Sequence, residues 1–340
     1  MTVRTHTFSS HARWIALVVV AVIALGGSVL YALQAYQRYQ DRGSGVSAAS
    51  VTDQLPTGSR VVFRNTASGE GYGKIAAVPL SAPDGPRGLG DVACDRLYAA
   101  AGLVSCMRII RGIPTTFETQ ILDSTGRQIR AWPLPGIPSR TRISKNGLVA
   151  TTAFVTGHSY ATNSFSTETT IRGTDGRDYG NLENFRMTIN GSELTALDSN
   201  VWGVTFSSDD TFFATVASGG KTWLASGSLQ DKALTSVVEN AECPSISPDG
   251  TRVAFKKRRA GMGAVHWDVS VLDLASGDET QIPLERSIDD QIEWLDNDTM
   301  LFGQPRTSAI GDSDILSLKP AANAKPKLFI AHAWSPSVER

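Results

Sequence analysis

Two patterns divide the chain. From Trp14 to Leu33, WIALVVVAVIALGGSVLYAL runs twenty residues without a charge, about the length of a helix that crosses a hydrocarbon core. Beyond residue 60 the apolar stretches are short. They alternate with polar residues and are cut by Gly, Pro, Asn, Asp and Ser, as half-buried strands joined by tight turns are. The clearest unit is ECPSISPDGTRVAFKKRR, Glu242 to Arg259. Ile246 precedes Ser247-Pro248-Asp249-Gly250, and Val253 and Phe255 alternate with polar neighbours after it. Ser247 and Asp249 supply side-chain acceptors for turn N–H groups, Pro248 presets φ, and Gly250 takes positive φ without a Cβ clash.

The same order of an apolar residue, a Ser- or Asp-containing turn and an alternating strand recurs in worn form. It is found in TRISKNGLVATTAF, VTFSSDDTFFATVA and IEWLDNDTMLFG, in a shortened version around Cys94-Asp95, and in the final HAWSPSVER. Starts at Ala93, Ile143, Phe206, Ile246, Trp294 and Trp334 are spaced by roughly 40 to 63 residues, which fits four-stranded propeller blades. HWDVSVLDLASGDETQIPL supplies the second hairpin of the clearest unit, turning at Ser276-Gly277. The last motif offers an innermost strand without partners, and GSRVVFRNTASGEGYGKIAAVPLS offers strands without an innermost one. Together they predict a blade shared by both ends of the chain, a closure that removes open sheet edges. The expected fold is all-β: a six-bladed β-propeller closed by N- and C-terminal strands in one blade, preceded by a single N-terminal transmembrane helix. The expected blades are 60–87 with 331–340, then 88–136, 137–195, 196–238, 239–286 and 287–330.

The 340 residues carry a formal net charge of -1, without the basic excess of a nucleic-acid binder. The layout expected is a cytoplasmic tail over 1–13, a membrane helix over 14–36, a flexible tether over 37–59 and the propeller over 60–340. Arg4 and Arg13 before the apolar run nearly balance Arg38 and Arg42 after it, so the short N-terminal tail, more than the charges, argues for a cytoplasmic N-terminus and an extracytoplasmic propeller at the plasma membrane. A cleaved signal peptide is the alternative, but Gly26-Gly27-Ser28, the best cleavage site, falls inside the run. Cys94 and Cys106 flank two apolar strands around Gly102 and are candidates for a disulfide across a hairpin outside the cytoplasm, with two buried free thiols as the alternative. Cys243 reads as a small core residue.

The arrangement resembles the TolB-like family of six-bladed propellers, whose repeats carry the SPDG-type turn seen whole at Ser247 to Gly250. The resemblance covers about residues 60 to 340. An apolar segment followed by such a propeller, with the paired cysteines of ACDRLYAAAGLVSC, is similar to membrane-anchored TolB-like proteins of actinobacteria. It implies a non-catalytic platform that binds an envelope protein or peptide, and it transfers no catalytic residue.

Other motifs are weaker. SGGKTW, Ser218 to Trp223, ends like a phosphate loop, but Thr215 stands where the first glycine belongs, so it reads as a Gly-Gly hairpin. Lys256, Lys257, Arg258 and Arg259 form a candidate patch for an anionic partner. Asp289-Asp290 and Asp312-Ser313-Asp314 are acidic turns that admit calcium, yet neither has a twelve-residue calcium loop, and no cofactor is expected. His158, His266 and His332 lack metal-ligand spacing. No G-x-S-x-G elbow occurs. A hydrolase or lyase acting on a carbohydrate or lactone, or a small-ligand sensor, would use the central channel, and Trp202, Glu242, Glu293 and His332 are the candidate channel-mouth groups.

Overall fold

The computed structural model describes residues 10–42, 47–155, 166–261 and 265–340. The chain divides into a helical unit and a strand-rich unit. The helix is Ser10–Arg42. Within it Trp14–Gln37 has a mean hydropathy of 2.5 and exposed side chains. At 1.5 Å per residue this stretch is about 36 Å long, enough for a hydrocarbon core of about 30 Å.

The strand-rich unit is a six-bladed propeller. Blade 1 runs from Ala333–Glu339 at the axis through Arg60–Asn65 and Lys74–Pro79 to Arg87–Ala93. Its innermost strand therefore comes from the C-terminal end and its neighbours from the N-terminal part. Ala333–Glu339 lies antiparallel to Arg60–Asn65, with Arg60 opposite Glu339 and Asn65 opposite Ala333. The innermost strands of blades 2 to 6 are Arg96–Ala100, Ile137–Ile143, Asn200–Phe206, Glu242–Ile246 and Glu293–Asp296. Each is followed by three further antiparallel strands.

Local chemistry explains the turns. In Ser247-Pro248-Asp249-Gly250 the Gly250 N–H donates to the Ser247 carbonyl at 2.9 Å, and Asp249 Oδ1 accepts from Thr251 N–H at 3.0 Å. Ser144-Lys145-Asn146-Gly147 repeats the device: Gly147 N–H reaches the Ser144 carbonyl at 3.1 Å and Leu148 N–H reaches Ser144 Oγ at 3.0 Å. Gly219 and Gly220 both have positive φ and form the tight hairpin read from SGGKTW.

The apolar side chains of these strands fill six seams, one between each pair of neighbouring blades. Val62 and Ala77 of blade 1 meet Leu97 and Leu122 of blade 2. Ile121 of blade 2 meets Val149 of blade 3, and Ile171 of blade 3 meets Phe212 and Val216 of blade 4. Leu224 packs on Phe255, Val269 on Trp294 and Phe302, and Leu301 on Phe63. Strands buried on both faces follow: Phe212, Phe255, Phe302 and Phe63, on the second strands of four blades, are fully buried.

Four sequence expectations need correction. Arg87–Ala93 is the fourth strand of blade 1, pairing with Lys74–Pro79, so blade 2 begins at Arg96 and its first turn is at Ala101-Gly102, not at Cys94-Asp95. Arg186–Ile189 and Ser192–Glu193 leave blade 3 and extend blade 4, where Arg186–Ile189 runs parallel to Ala233–Glu239. The tether is shorter than 37–59. The helix continues to Arg42, Val51–Thr52 pairs in parallel with Arg87 and Gly88, and a Cβ on Gly88 would stand 2.2 Å from the Gln54 carbonyl oxygen. The disulfide between Cys94 and Cys106 forms, but it does not close a hairpin. Cys106 faces Leu97 across its hairpin, while Cys94 follows the outer strand of blade 1, so the bond staples blade 1 to blade 2.

Candidate functional site at the propeller axis

Antiparallel strands put alternate connections at opposite ends of the ring. The hairpins between first and second strands lie at one end, here the turn end. The loops between second and third strands, and the crossings between blades, lie at the other, the loop end. At the turn end a cavity of about 870 Å³ opens on the axis. All six blades line it. Tyr98 and Ala100 to Gly102 come from blade 2, Arg142 to Asn146 from blade 3, and Thr205 to Asp209 from blade 4. Ser245 to Pro248 with Gly250, then Glu293 and Trp294, then Val338 to Arg340 complete the circle.

Its floor is built from one repeat position. Arg142, Thr205, Ser245 and Glu293 each precede the apolar residue that enters the turn, namely Ile143, Phe206, Ile246 and Trp294. A hydrogen bond from blade 2 to Ser337 places Ser337 in the same ring, and Tyr98 joins it through its hydroxyl on Glu293. Thr205 Oγ1 accepts from Ile246 N–H at 3.3 Å, Glu293 Oε1 from Val338 N–H at 3.2 Å, and Ser337 Oγ from Ala99 N–H at 3.0 Å. At Thr205, Glu293 and Ser337 the side chain thus pairs an inward N–H of the neighbouring blade, which would otherwise be an unpaired donor.

Arg142 departs from that pattern. Its guanidinium crosses the axis from blade 3 to blade 6, the opposite blade, and pairs with Glu293 Oε2. It also donates to the Ile292 carbonyl at 2.5 Å and to Ser245 Oγ at 3.4 Å. It lies 4.5 Å over the Tyr98 ring, whose hydroxyl donates to Glu293 Oε1 at 3.3 Å. Side-chain exposure is 7% for Arg142 and 8% for Glu293. Burial pushes the Glu293 carboxyl above the usual glutamate range, and Arg142 opposes that shift only in part. Burial, then Glu293, pushes the Tyr98 phenol up.

Arg140 is two residues earlier on the same strand and so points to the same side. It makes a second strut toward the loop end, donating to the Asp289 carbonyl at 2.6 Å. Lys256 Nζ pairs with Asp289 Oδ1 at 3.2 Å. Lys256 and Arg140 together hold the Asp289 carboxyl below the usual aspartate range. Burial, reinforced by Arg140, lowers Arg96 to about 10. Asp290 is buried, and its Oδ2 accepts from Gly303 N–H at 2.9 Å and Ser335 N–H at 3.1 Å. The two arginine struts therefore divide the axis, and the funnel at the turn end is a blind one.

The four candidate mouth residues do not converge. Glu293 lies in the funnel floor. Trp202 is buried on the innermost strand of blade 4. Glu242 is buried on blade 5 and accepts from Trp267 Nε1 at 2.9 Å. His332 sits at the crossing from blade 6 to blade 1, at the loop end, with Nδ1 2.7 Å from Asp312 Oδ2 and its N–H on Asp314 Oδ1. The four adjacent cations do not make one surface either, because successive strand residues face opposite sides. Lys256 is buried over the Trp267 ring, Lys257 pairs with Glu279, and Arg259 pairs with Asp268. Only Arg258 has an exposed position. His266 is buried with Nε2 3.1 Å from the Leu284 carbonyl oxygen, Cys243 is a buried free thiol, and His158 lies outside the described residues. Among the described residues, no group of three or more His, Cys, Asp or Glu is arranged to hold a metal ion.

No protein-family model matches the chain, and no curated protein matches it by sequence. Solved structures resemble it in fold at low identity. The β-propeller domain of the Trilobed protease from Pyrococcus furiosus has 10% identity and a TM-score of 0.39 over 69% of this chain and 72% of that one. A protein of unknown function from Bacteroides caccae has 11% identity and a TM-score of 0.48 over 84% of this chain and all of that one. For the acylaminoacyl peptidase of Pyrococcus horikoshii the values are 11% and 0.39, and the chain spans 38% of that protein.

Proposed function

We propose that this chain is a single-pass, membrane-anchored propeller of the TolB-like type that binds a protein or peptide outside the cytoplasm, with the turn-end funnel as its binding surface. The funnel itself carries the reading: six blades contribute to one blind cavity of about 870 Å³, within the range of ligand sites. Its rim mixes the exposed Lys145, Asn146, Asp209, Ser207 and Ser208, so it offers donors and acceptors around a recess. The apolar helix Trp14–Gln37 supports membrane attachment. The Cys94–Cys106 disulfide supports an oxidising compartment.

Burial and a raised pKa at Glu293 favour a second reading, acid–base catalysis at the funnel floor. Against it, Glu293 Oε1 already accepts from Tyr98 and Val338, and Oε2 is held by Arg142. That arrangement suits a strut better than a proton-transfer group.

The test is site-specific photocrosslinking in intact envelopes, with the probe at Asn146 or Asp209 on the rim and at the exposed Val237 on an outer strand as control. A partner captured from the rim and not from Val237 is expected. Capture from neither position, or equally from both, would overturn the assignment.

A further inference from the structure

A second cavity of about 390 Å³ lies between blades 1 and 2. Its walls are apolar: Val62, Ile75 and Leu89 from blade 1, Val104 and Leu122 from blade 2. The segment Asp53 to Leu55 forms one wall and is held against the outer strand because Gly88 has no Cβ, the Gln54 carbonyl oxygen standing 2.2 Å from where one would be. The rim is acidic. Asp53, Asp91, Asp123 and Glu339 surround it with Arg60 as the sole lining cation, and Arg60 is already paired with Glu339 at 2.7 Å. Asp123 is occupied by Thr125 and Arg127. Asp53 and Asp91 are exposed and, among the described residues, carry no hydrogen bond or ion pair.

An apolar hollow under two free carboxylates has a defined complement. Its floor gains by covering hydrocarbon, and its rim favours a positive head and repels a negative one. We infer that this inter-blade cavity binds a small amphipathic cation, an ammonium group on a short apolar body. The volume falls in the range of small-molecule sites. The class is set by charge complementarity with Asp53 and Asp91. The cavity borders the funnel at Gly102 and Glu339, which line both, but its apolar walls belong to the seam between blades 1 and 2 and do not line the funnel.

The test uses the full chain in lipid nanodiscs, with methyl resonances of Val62, Ile75, Leu89, Val104 and Leu122 as a readout confined to the cavity. Hexylammonium, 1-hexanol and hexanoate are titrated as probes of equal apolar length. Saturable shifts at these methyls with about tenfold tighter binding of hexylammonium than of either other probe are expected. The Asp53→Asn/Asp91→Asn double variant, altered only at exposed side chains, should lose that preference while retaining the alcohol's affinity. Equal affinity for all three probes, a preference that survives the double variant, or no saturable shift below about 10 mM would each overturn the assignment.

Discussion

The strut across the axis yields the sharpest prediction. Arg142→Met removes a guanidinium that is 93% buried by its side-chain exposure of 7% and leaves the Glu293 carboxylate, at 8%, facing the funnel floor without its counter-charge. Breaking a buried pair from one side costs about 3–5 kcal/mol. Glu293 keeps the Tyr98 hydroxyl and the Val338 N–H, so the lower end, about 3 kcal/mol, applies. For a domain of this size that corresponds to a fall in Tm of about 6–12 °C. Removing both charges, in Arg142→Met/Glu293→Gln, leaves no stranded ion and should recover most of the loss, because a buried pair adds little over an apolar replacement.

The pH dependence follows from the direction of the shift. Burial holds the Glu293 pKa above its unfolded value, so the protonated form is favoured in the folded protein. The stability from this group is then fully present below the unfolded pKa and is lost as pH rises through the folded one. Without Arg142 the folded pKa moves higher still. The Tm gap between Arg142→Met and wild type should thus be widest near neutrality and narrow as pH falls toward about 4.3, the ordinary glutamate value. Thermal unfolding by circular dichroism across that range reads both effects. A gap that does not change with pH, or a double variant as unstable as the single one, would refute the account of Arg142 as a counter-charge for Glu293.

Three further outcomes are expected. Lys256→Gln should cost about 2 kcal/mol in denaturant unfolding, since Lys256 is 2% exposed and paired with Asp289, whereas Arg258→Gln at an exposed position should stay within about 0.5 kcal/mol; similar losses would restore the idea of one cationic patch. Replacing Cys94 and Cys106 by Ala should cost about 3 kcal/mol and remove the sensitivity of wild-type Tm to reductant, which a Tm indifferent to reductant in wild type would contradict. Gly88→Ala sets a Cβ 2.2 Å from the Gln54 carbonyl oxygen and 2.6 Å from Leu55 Cα, so limited proteolysis should cut faster between residues 50 and 56; an unchanged cleavage pattern would show that this segment is not pinned there.

Much of the fold was legible because it is written in local chemistry. The turn at Ser247 to Gly250 needs only its own four residues, and the worn copies at Ser144 and Ser207 keep enough acceptors to mark the first hairpin of their blades. The unpaired HAWSPS strand pointed to the shared blade, since an innermost strand without partners must find them elsewhere in the chain. Boundaries failed where a strand's owner is decided by distant pairing. Arg87–Ala93 and Arg186–Ile189 look like strands from either side, and only their pairing with Lys74–Pro79 and with Ala233–Glu239 assigns them. The same ambiguity displaced the disulfide, because proximity in sequence suggested a hairpin where the chain was passing from one blade to the next.

The site was less legible, for a reason that lies in ring geometry. Proximity to the start of an inner strand selected Trp202, Glu242 and His332, none of which lines the funnel. The residues that meet at the axis instead share a place in the repeat, just before the apolar residue that enters each turn: Arg142, Thr205, Ser245 and Glu293. Aligning the worn turn motifs would have brought these four together, and with them the one long cation among hydroxyls and a carboxylate. What alignment does not supply is that blades 3 and 6 stand opposite one another. That follows only from counting six blades and closing the ring, after which an arginine on one and a glutamate on the other are placed to span the axis, and a channel becomes a floor.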